Sequence, residues 1–242
     1  MLSSIEIEQL ALNAWPGINT YLYGGWVVRW ANGYTKRANS ATVLFDASWS
    51  AEKQRWVEDF YTKRNQRPIF RLLSFNGPEA FDVQLEQDGY ERLDLTSVMT
   101  AHLQSGSIDG RCQTIPLNDW LQIFHELDQS KLGDEKKRLH HALLSQIPGQ
   151  VCPMVLYVDK VPAACGLGVL DGEAIGLFDI VTGDAFRRRG LGTVLVQSIL
   201  GWGEARGAKL GYLQVVAKNR PAINLYNKLG FAEQYQYWYR AR

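Results

Sequence analysis

A run of arginine and glycine, RRRGLG at Arg187–Gly192, most constrains how this chain folds. The segment before it, Glu173–Thr182, is rich in apolar and β-branched residues, which is typical of a strand. The segment after it has helical apolar spacing at Leu191, Val194, Leu195 and Ile199. The first N–H groups of a helix have no partner within the helix and carry partial positive charge. The run therefore predicts an anion site suited to a pyrophosphate, the alternative being a turn with solvated arginines.

The carboxy-terminal part repeats strand and helix patterns in the order strand, strand, strand, helix, strand, helix, strand. The strand patterns are Val151–Val158, Pro162–Leu170, Glu173–Thr182, Leu210–Ala217 and Phe231–Arg240. Gly207 ends the first helix, and the second starts after an N-cap at Asn219 and ends at Gly230. Asp171-Gly172 favours a type I′ turn. We therefore expect the first three strands to form an antiparallel meander.

Two amphipathic helices precede these strands. Leu117–Leu127 has an apolar face, and Lys131–Gln146 directs Leu132, Leu139 and Leu143 inward. The second of these helices also contains His140-His141 among lysines and leucines. We interpret the two histidines as a solvated pair in preference to a catalytic one.

The amino-terminal part has a pattern of its own. Its predicted strands are Gly25–Trp30, Tyr34–Phe45, Ile69–Ser74 and Leu93–Ala101, and its predicted helices are Glu52–Lys63 and Pro78–Glu86. The ending of helix, Gly89-Tyr90 and strand is similar to Gly230-Phe231 and the strand after it, which predicts an internal pseudo-repeat. Ser105–Gly110 is the best linker candidate, so the expected units are residues 1–105 and 106–242.

Composition excludes several classes of protein. Lys plus Arg number 26 and Asp plus Glu 25, a net charge of +1, which argues against a nucleic-acid or membrane surface. The start of the chain has no signal-peptide pattern, and three cysteines without a CxxC motif favour a cytoplasmic location. The four histidines lack metal-ligand spacing, so no metal is expected.

A second motif follows the arginine and glycine run. It reads NRPAINLY at Asn219–Tyr226, with Leu229-Gly230-Phe231 just after it. Together the two motifs resemble those of the GNAT superfamily, the acetyl-CoA-dependent N-acetyltransferases, whose patterns are Q/R-x-x-G-x-G/A and N-x-x-A-x-x-L-Y-x-x-x-G-F. The resemblance covers about Val151–Arg242 and implies an α+β fold, with a mixed, mostly antiparallel twisted sheet flanked by helices. It also implies acetyl-CoA as co-substrate.

The amino-terminal part resembles a GNAT subgroup in which a degenerate GNAT-like half precedes an intact one. The resemblance rests on Gly25–Arg29 and Gly33–Ser40. That half lacks both motifs, so it is not expected to bind CoA in the usual way.

The resemblance also implies roles for individual residues. The strand before the first motif would pair with the pantetheine arm, and the run would hold the pyrophosphate, with Thr193 adding a hydroxyl. Asn219 and Ala222 would contact the cofactor, and Tyr226 would lie near its sulfur. The implied cofactor-binding set is Ile180, Val181, Thr182, Arg187, Arg188, Arg189, Gly190, Leu191, Gly192, Thr193, Asn219, Ala222 and Tyr226. The alternatives are that Asn219 is only an N-cap and Tyr226 only a packed aromatic.

The implied reaction is direct attack of an amine on the thioester. A base must take the amine proton, a backbone N–H must stabilise the oxyanion, and Tyr226 is suited to protonate the thiolate. Of the carboxylates, Asp179 ranks first as base and Glu173 second, and water is as good a candidate as either.

We expect the acceptor to be a primary amine of a small molecule. Two alternatives stay open, a non-catalytic CoA or acyl-CoA sensor and a protein or peptide N-acetyltransferase. Arg29, Thr35, Arg37 and Asn39 line either an acceptor cleft or, as we prefer, an exposed sheet face. The aromatic residues Tyr235, Tyr237, Trp238 and Tyr239 serve as a cleft wall or simply pack. A homodimer through an exposed strand edge also stays open.

Overall fold

The computed structural model describes residues 2–45, 48–104, 106–128 and 132–242. Its helices are α1 Ser4–Ala14, α2 Ala51–Thr62, α3 Glu79–Gln87, α4 Leu117–Leu127, α5 Asp134–Leu144, α6 Leu191–Glu204 and α7 Arg220–Lys228. Its strands are β1 Asn19–Tyr23, β2 Trp26–Trp30, β3 Ala41–Val43, β4 Ile69–Leu73, β5 Glu91–His102, β6 Cys112–Thr114, β7 Gln150–Val158, β8 Val161–Asp171, β9 Ala174–Thr182, β10 Leu210–Val216 and β11 Ala232–Ala241. Within these ranges, no helix is both long and apolar enough to cross a bilayer.

All the described strands lie in one 11-stranded sheet, in the order β1-β2-β3-β4-β11-β5-β10-β9-β8-β7-β6. The pairs β3 with β4 and β9 with β10 are parallel, and the other neighbouring pairs are antiparallel. The element order β1-β2-β3-α2-β4-α3-β5 recurs as β7-β8-β9-α6-β10-α7-β11. The two units exchange their last strands, because β11 pairs with β4 and β5 pairs with β10. The predicted α+β fold with a mixed, mostly antiparallel sheet is confirmed.

Glycines on β8 allow helix α6 to pack closely on the sheet that carries the site. A Cβ atom added at Gly168 would lie 2.6 Å from Cγ2 of Ile199 on α6, a distance that real contacts do not reach. Leu195 and Ile199 of α6 are fully buried in this layer. Because Gly168 has no side chain, α6 can lie closer to β8 than a larger residue at this position would allow.

Several elements, most of them in the amino-terminal part, differ from the sequence predictions. The predicted strand Tyr34–Phe45 is wrong over most of its length, because only Ala41–Val43 is a strand. The loop before that strand is held by Asn39, whose Oδ1 accepts hydrogen bonds from the N–H groups of Ala31 and Gly33. Three elements, α1, β1 and β6, carried no strong pattern and were not predicted.

The predicted type I′ turn at Asp171-Gly172 is also wrong. The loop between β8 and β9 is Gly172-Glu173, and of these two only Gly172 has a positive φ, +57°. Positive φ at two successive residues occurs instead at Asp159 and Lys160, between β7 and β8. Two predicted segments begin outside the described residues: the helix Lys131–Gln146 at Lys131, and the linker Ser105–Gly110 at Ser105.

Candidate active site

Strands β9 and β10 separate part-way along their length. Their parallel pairing runs from Ala174 with Leu210 to Leu177 with Leu213. Beyond that point β10 continues to pair with β5, and β9 continues to pair with β8 on its other side. The described part of the chain therefore contains a gap between the second half of β9 and β10. Within the described residues, the side of β9 that faces β10 therefore has no strand partner along this gap, whereas its other side stays paired with β8.

A β-bulge lies at the start of this gap. The register between β8 and β9 shifts between Cys165 and Leu167, where β9 carries one extra residue. Asp179 takes up the extra length with a left-handed φ of +47°. A Cβ atom at Gly166, opposite the bulge, would overlap Cδ1 of Ile180 in its present position. Gly166 therefore leaves room for Ile180, and the bulge turns the Asp179 side chain out of the regular alternation.

The arginine and glycine run forms the turn into α6. Arg188 and Gly190 both have left-handed φ, +60° and +75°, so the backbone alternates in the manner of an anion-binding nest. Among the described residues, no side chain caps the N-terminus of α6. The site of a Cβ at Gly190 is open space, whereas at Gly192 it lies 3.5 Å from Oγ1 of Thr182. The helix start and the end of β9 are therefore adjacent.

The charges around this turn are mostly cationic. Arg187 is exposed and forms an ion pair with Asp184 at 2.7 Å. Arg189 lines an open hollow of about 800 Å³ together with Arg111 and Lys160. These side chains add positive charge to the dipole of α6, and the combination suits a phosphate-bearing ligand.

Helix α7 lies beside the same turn. A Cβ at Gly192 would lie 3.3 Å from Cδ1 of Leu225 on α7. Asn219 is the N-cap of α7, and its Oδ1 accepts a hydrogen bond from the N–H of Ala222 at 3.3 Å. The Tyr226 ring is buried against Phe231, with ring centroids 5.9 Å apart. This burial raises the pKa of Tyr226 to about 12, so its hydroxyl stays protonated at neutral pH.

Asp179 has a partner that the sequence analysis missed. Nε2 of His140, on α5, lies 2.9 Å from Oδ2 of Asp179, and the His140 side chain is fully buried. The interpretation of His140-His141 as a solvated pair is therefore wrong for His140. It holds for His141, which is exposed and lies 2.9 Å from Oδ1 of Asn118. The spacing of His140 with buried Leu143 and Leu144 on one helical face was the available signal.

Glu173 does not join this group. It lies in the hairpin between β8 and β9, at the end of β9 away from the gap. Its side chain is exposed and pairs with Lys209 at 2.5 Å. Of the two carboxylates that we ranked as candidate bases from the sequence, only Asp179 therefore lies at the gap.

A cleft of about 290 Å³ opens next to Asp179. Its walls come from both parts of the chain, and they are formed by Trp15, Thr35, Lys36, Arg37, Asp94, Thr96, Asp179, Gln214, Val216, Tyr237 and Tyr239. Thr35 and Arg37 therefore face a cleft, and for them the preferred interpretation of an exposed sheet face is wrong. Arg29 and Asn39 are buried, and both form hydrogen bonds to main-chain groups.

The aromatic strand β11 contributes to the cleft on one face only. Tyr237 and Tyr239 line it, whereas Trp238 lies on the opposite face, where its Nε1 donates to Oδ1 of Asp82 at 2.6 Å. Alternation along the strand explains the division. Within the described residues, no group of His, Cys, Asp and Glu is arranged to hold a metal ion.

A splayed parallel strand pair next to a glycine-rich, cationic helix start defines the acetyltransferase fold of the GNAT superfamily. Residues 3–240 match one family of that class, and the chain belongs to it: the family described as "Probable histone acetyltransferase Rv0428c C-terminal".

Curated relatives agree with this assignment. An uncharacterized N-acetyltransferase, YobR, of Bacillus subtilis is 28% identical over 246 residues, covering 98% of each chain. The [ribosomal protein bS18]-alanine N-acetyltransferase of Salmonella typhimurium is 44% identical over 75 residues, which cover 31% of this chain and 50% of that protein. The chain is therefore an N-acetyltransferase. The first relative matches it along almost its whole length, and the second matches about a third of it.

Solved structures share the fold. A GCN5-related N-acetyltransferase from Kribbella flavida superposes with a TM-score of 0.72 at 14% identity, covering 100% of this chain and 96% of that one. A tandem GNAT protein from the clavulanic acid biosynthesis pathway has a TM-score of 0.61 at 13% identity and covers 84% of this chain and 74% of that one. At these identities the similarity concerns the fold alone.

Proposed function

We propose that the protein transfers an acetyl group from acetyl-CoA to a primary amine of a small molecule, by direct attack of the amine on the thioester. The observation that carries the proposal is the gap between β9 and β10, which ends next to the open N-terminus of α6. A gap of this kind offers strand-like hydrogen bonds to an extended pantetheine arm, and the helix start offers N–H groups to its pyrophosphate.

We assign the acetyl-CoA contacts to the residues that the resemblance implies, and this geometry supports the assignment. Backbone groups of Ile180, Val181 and Thr182 would face the arm along β9. The turn Arg187–Gly192 and the hydroxyl of Thr193 would hold the pyrophosphate. Asn219 and Ala222 lie at the start of α7, which packs against the same turn.

Acetyl-CoA supplies the thioester that the amine attacks. Asp179, at the bulge that opens the gap, accepts the proton of the amine. A backbone N–H of β9 in the gap stabilises the negative charge that develops on the carbonyl oxygen. Tyr226 donates its hydroxyl proton to the departing thiolate, and the raised pKa of about 12 keeps that proton in place until it is needed.

The cleft next to Asp179 supports a small amine as the acceptor. Its volume of about 290 Å³ is just below the ~300–1,000 Å³ typical of ligand pockets. The carboxylate of Asp179 and the rings of Tyr237 and Tyr239 suit a group that arrives as an ammonium ion. The other charged groups of the lining are already engaged, because Lys36 pairs with Asp94 at 2.7 Å and Arg37 lies over the Trp15 ring. This lining favours a compact amine over a long polypeptide segment.

We also infer that the chain consists of a degenerate GNAT-like half, residues 1–105, and an acetyltransferase domain, residues 106–242. The repeated element order and the exchanged last strands support this division. The tandem GNAT neighbour supports it at the level of the fold. The three buried free cysteines fit the reducing conditions of the cytoplasm, where we place the protein.

The test is release of CoA thiol from acetyl-CoA in the presence of a panel of small amines and short peptides, with the products identified by mass. We expect small amines to be acetylated, and Asp179→Asn to lower kcat by roughly 10²-fold or more through loss of the base. Asp171→Asn, at the end of β8 far from the gap, is the matched control and should retain the wild-type rate. Turnover of peptides alone would contradict the acceptor class, and no turnover with any amine would contradict the reaction.

A further inference from the structure

The imidazole of His140 is enclosed by aromatic rings. Its centroid lies 5.8 Å from Trp15, 5.4 Å from Tyr34, 5.3 Å from Phe124 and 5.3 Å from His125. The Tyr34 ring is nearly parallel to it, at 25°. A ring packed on so many sides has one available orientation, so the direction of its nitrogens is set by the fold.

The hydrogen-bond pattern identifies the nitrogen that carries the hydrogen. Nδ1 of His140 is buried and has no partner within the part of the chain that the structure describes. Nε2 faces a carboxylate oxygen of Asp179 at 2.9 Å, and two acceptors do not form a hydrogen bond. Nε2–H therefore donates to Oδ2 of Asp179.

We propose that His140 is a positioning residue for the acetyl transfer, which holds the Asp179 carboxylate in the orientation that receives the amine proton. The inference rests on the proposed function, in which Asp179 is the base. The left-handed backbone of Asp179 directs its side chain away from the strand alternation. The hydrogen bond uses one lone pair of Oδ2, and we assign proton transfer to Oδ1, the other oxygen of the carboxylate.

This arrangement assigns a task to the amino-terminal half. Trp15, at the C-cap of α1, and Tyr34 both come from residues 1–105, and both pack on His140. Trp15 also stacks on Phe178, the residue before Asp179, with centroids 6.1 Å apart. The half that lacks the cofactor motifs therefore supports the base of the half that has them.

The adjacent histidines provide a matched experiment. His140→Leu removes the donor and keeps an apolar side chain, His140→Gln keeps an amide N–H near the position of Nε2, and His141→Leu changes the exposed neighbour. Each is made in the full chain, with kcat and the KM of the acceptor from thiol release, the Kd of acetyl-CoA from calorimetry, and Tm from thermal unfolding.

We expect His140→Leu to lower kcat by about 10- to 100-fold, with the Kd of acetyl-CoA and the KM of the acceptor within about twofold of wild type. His140→Gln should stay within about threefold of the wild-type kcat, and His141→Leu should match it. In an Asp179→Asn background, His140→Leu should cause no further loss, because both changes remove one function.

Several outcomes would overturn the inference. If His140→Leu and His140→Gln lose the same amount of kcat and both have a lowered Tm, His140 has a packing role. If folded His140→Leu keeps the wild-type kcat, His140 has no role in the reaction. Additive losses in the double variant show that His140 does not act through Asp179. If Asp179→Asn retains the wild-type kcat, or wild type acetylates no amine, the proposed function fails and this inference fails with it.

Discussion

The two parallel strand pairs of the sheet occupy matching places in the two halves, yet only one of them leaves its gap open. In the amino-terminal half, β3 pairs with β4 at Ala41 with Phe70 and at Thr42 with Arg71. The amide of Asn76, just after β4, then donates to the carbonyls of Val43 and Leu44, at 2.8 Å each. The end of β3 is thus satisfied from within the chain, whereas the corresponding length of β9 faces the gap.

The helices that follow these strands differ in the same way. Ser50 caps α2, its Oγ accepting a hydrogen bond from the N–H of Lys53 at 3.1 Å, and Glu52 places an acidic side chain in the first turn. At α6 the N-cap is Gly190, and within the described residues it offers neither a capping side chain nor an acid in the first turn. A helix start that is already capped and acidic repels a phosphate, and an open one attracts it.

Positions counted from the closing glycine of each unit extend the comparison. Asn219 lies eleven residues before Gly230, and the residue eleven before Gly89 is Pro78, the N-cap of α3. Tyr226 lies four residues before Gly230, and its counterpart is Leu85. The difference teaches that one topology can carry, at matching positions, either the groups that we propose to bind and react or groups that pack.

The largest expected effect concerns the centre of the amino-terminal half. Arg71, the third residue of β4, is buried in an ion pair with Glu8. The matching position in the carboxy-terminal half, the third residue of β10, is the uncharged Tyr212. Glu8→Leu leaves the guanidinium buried without its partner, which should lower the free energy of unfolding by about 3–5 kcal/mol. Urea denaturation measures the loss, and exposed Glu52→Gln, which removes only a charge at the start of α2, should cost less than about 1 kcal/mol. A loss under about 1 kcal/mol would show that the ion pair does not hold this half together.

The next effect tests which helix start binds the cofactor. Gly190→Asp places a negative charge at the N-terminus of α6, and the Kd of acetyl-CoA should rise by about 100-fold. Gly190→Asn is the matched control, because asparagine tolerates a positive φ and is neutral, so its Kd should stay within a few-fold of wild type. Ser50→Asp at α2 should not change the Kd. Calorimetry decides, and weaker binding in the Ser50 variant would break the comparison.

The smallest expected effect concerns the hydroxyl of Tyr226, whose counterpart in the amino-terminal half is Leu85. Tyr226→Phe should lower kcat by about tenfold and leave the Kd of acetyl-CoA unchanged. This loss is smaller than the roughly 10²–10⁴-fold typical of general acid–base catalysis, because a thiolate departs readily without a proton. Because burial raises the pKa of Tyr226 to about 12, the phenol keeps its proton below that pH. The ratio of the wild-type to the variant rate should therefore stay constant between pH 7 and pH 10. A ratio that falls within this range would show that the hydroxyl titrates earlier than burial implies, and a ratio of one throughout would show that Tyr226 is not the acid.

The carboxy-terminal elements could be predicted from the sequence because each has strong local signals. Strands β7 to β11 and helices α6 and α7 lie within a few residues of their predicted bounds. The amino-terminal strands were predicted less well. Residues 34–40 carry alternating polar side chains that suggest a strand, but Asn39 fixes them as a loop through contacts with Ala31 and Gly33. A hydrogen bond to a neighbouring segment leaves no periodic signal.

By itself the sequence determined the fold class and the place of the glycine-rich helix start at which we propose an anion site, since glycine spacing and apolar periodicity act over a few neighbouring residues. The sequence could not show that the last strands are exchanged, because strand neighbours far apart in the chain are chosen by packing. Nor could it show that His140 on α5 meets Asp179 at the bulge of β9. That contact joins residues 39 positions apart, and only burial under the rings of the amino-terminal half brings them together.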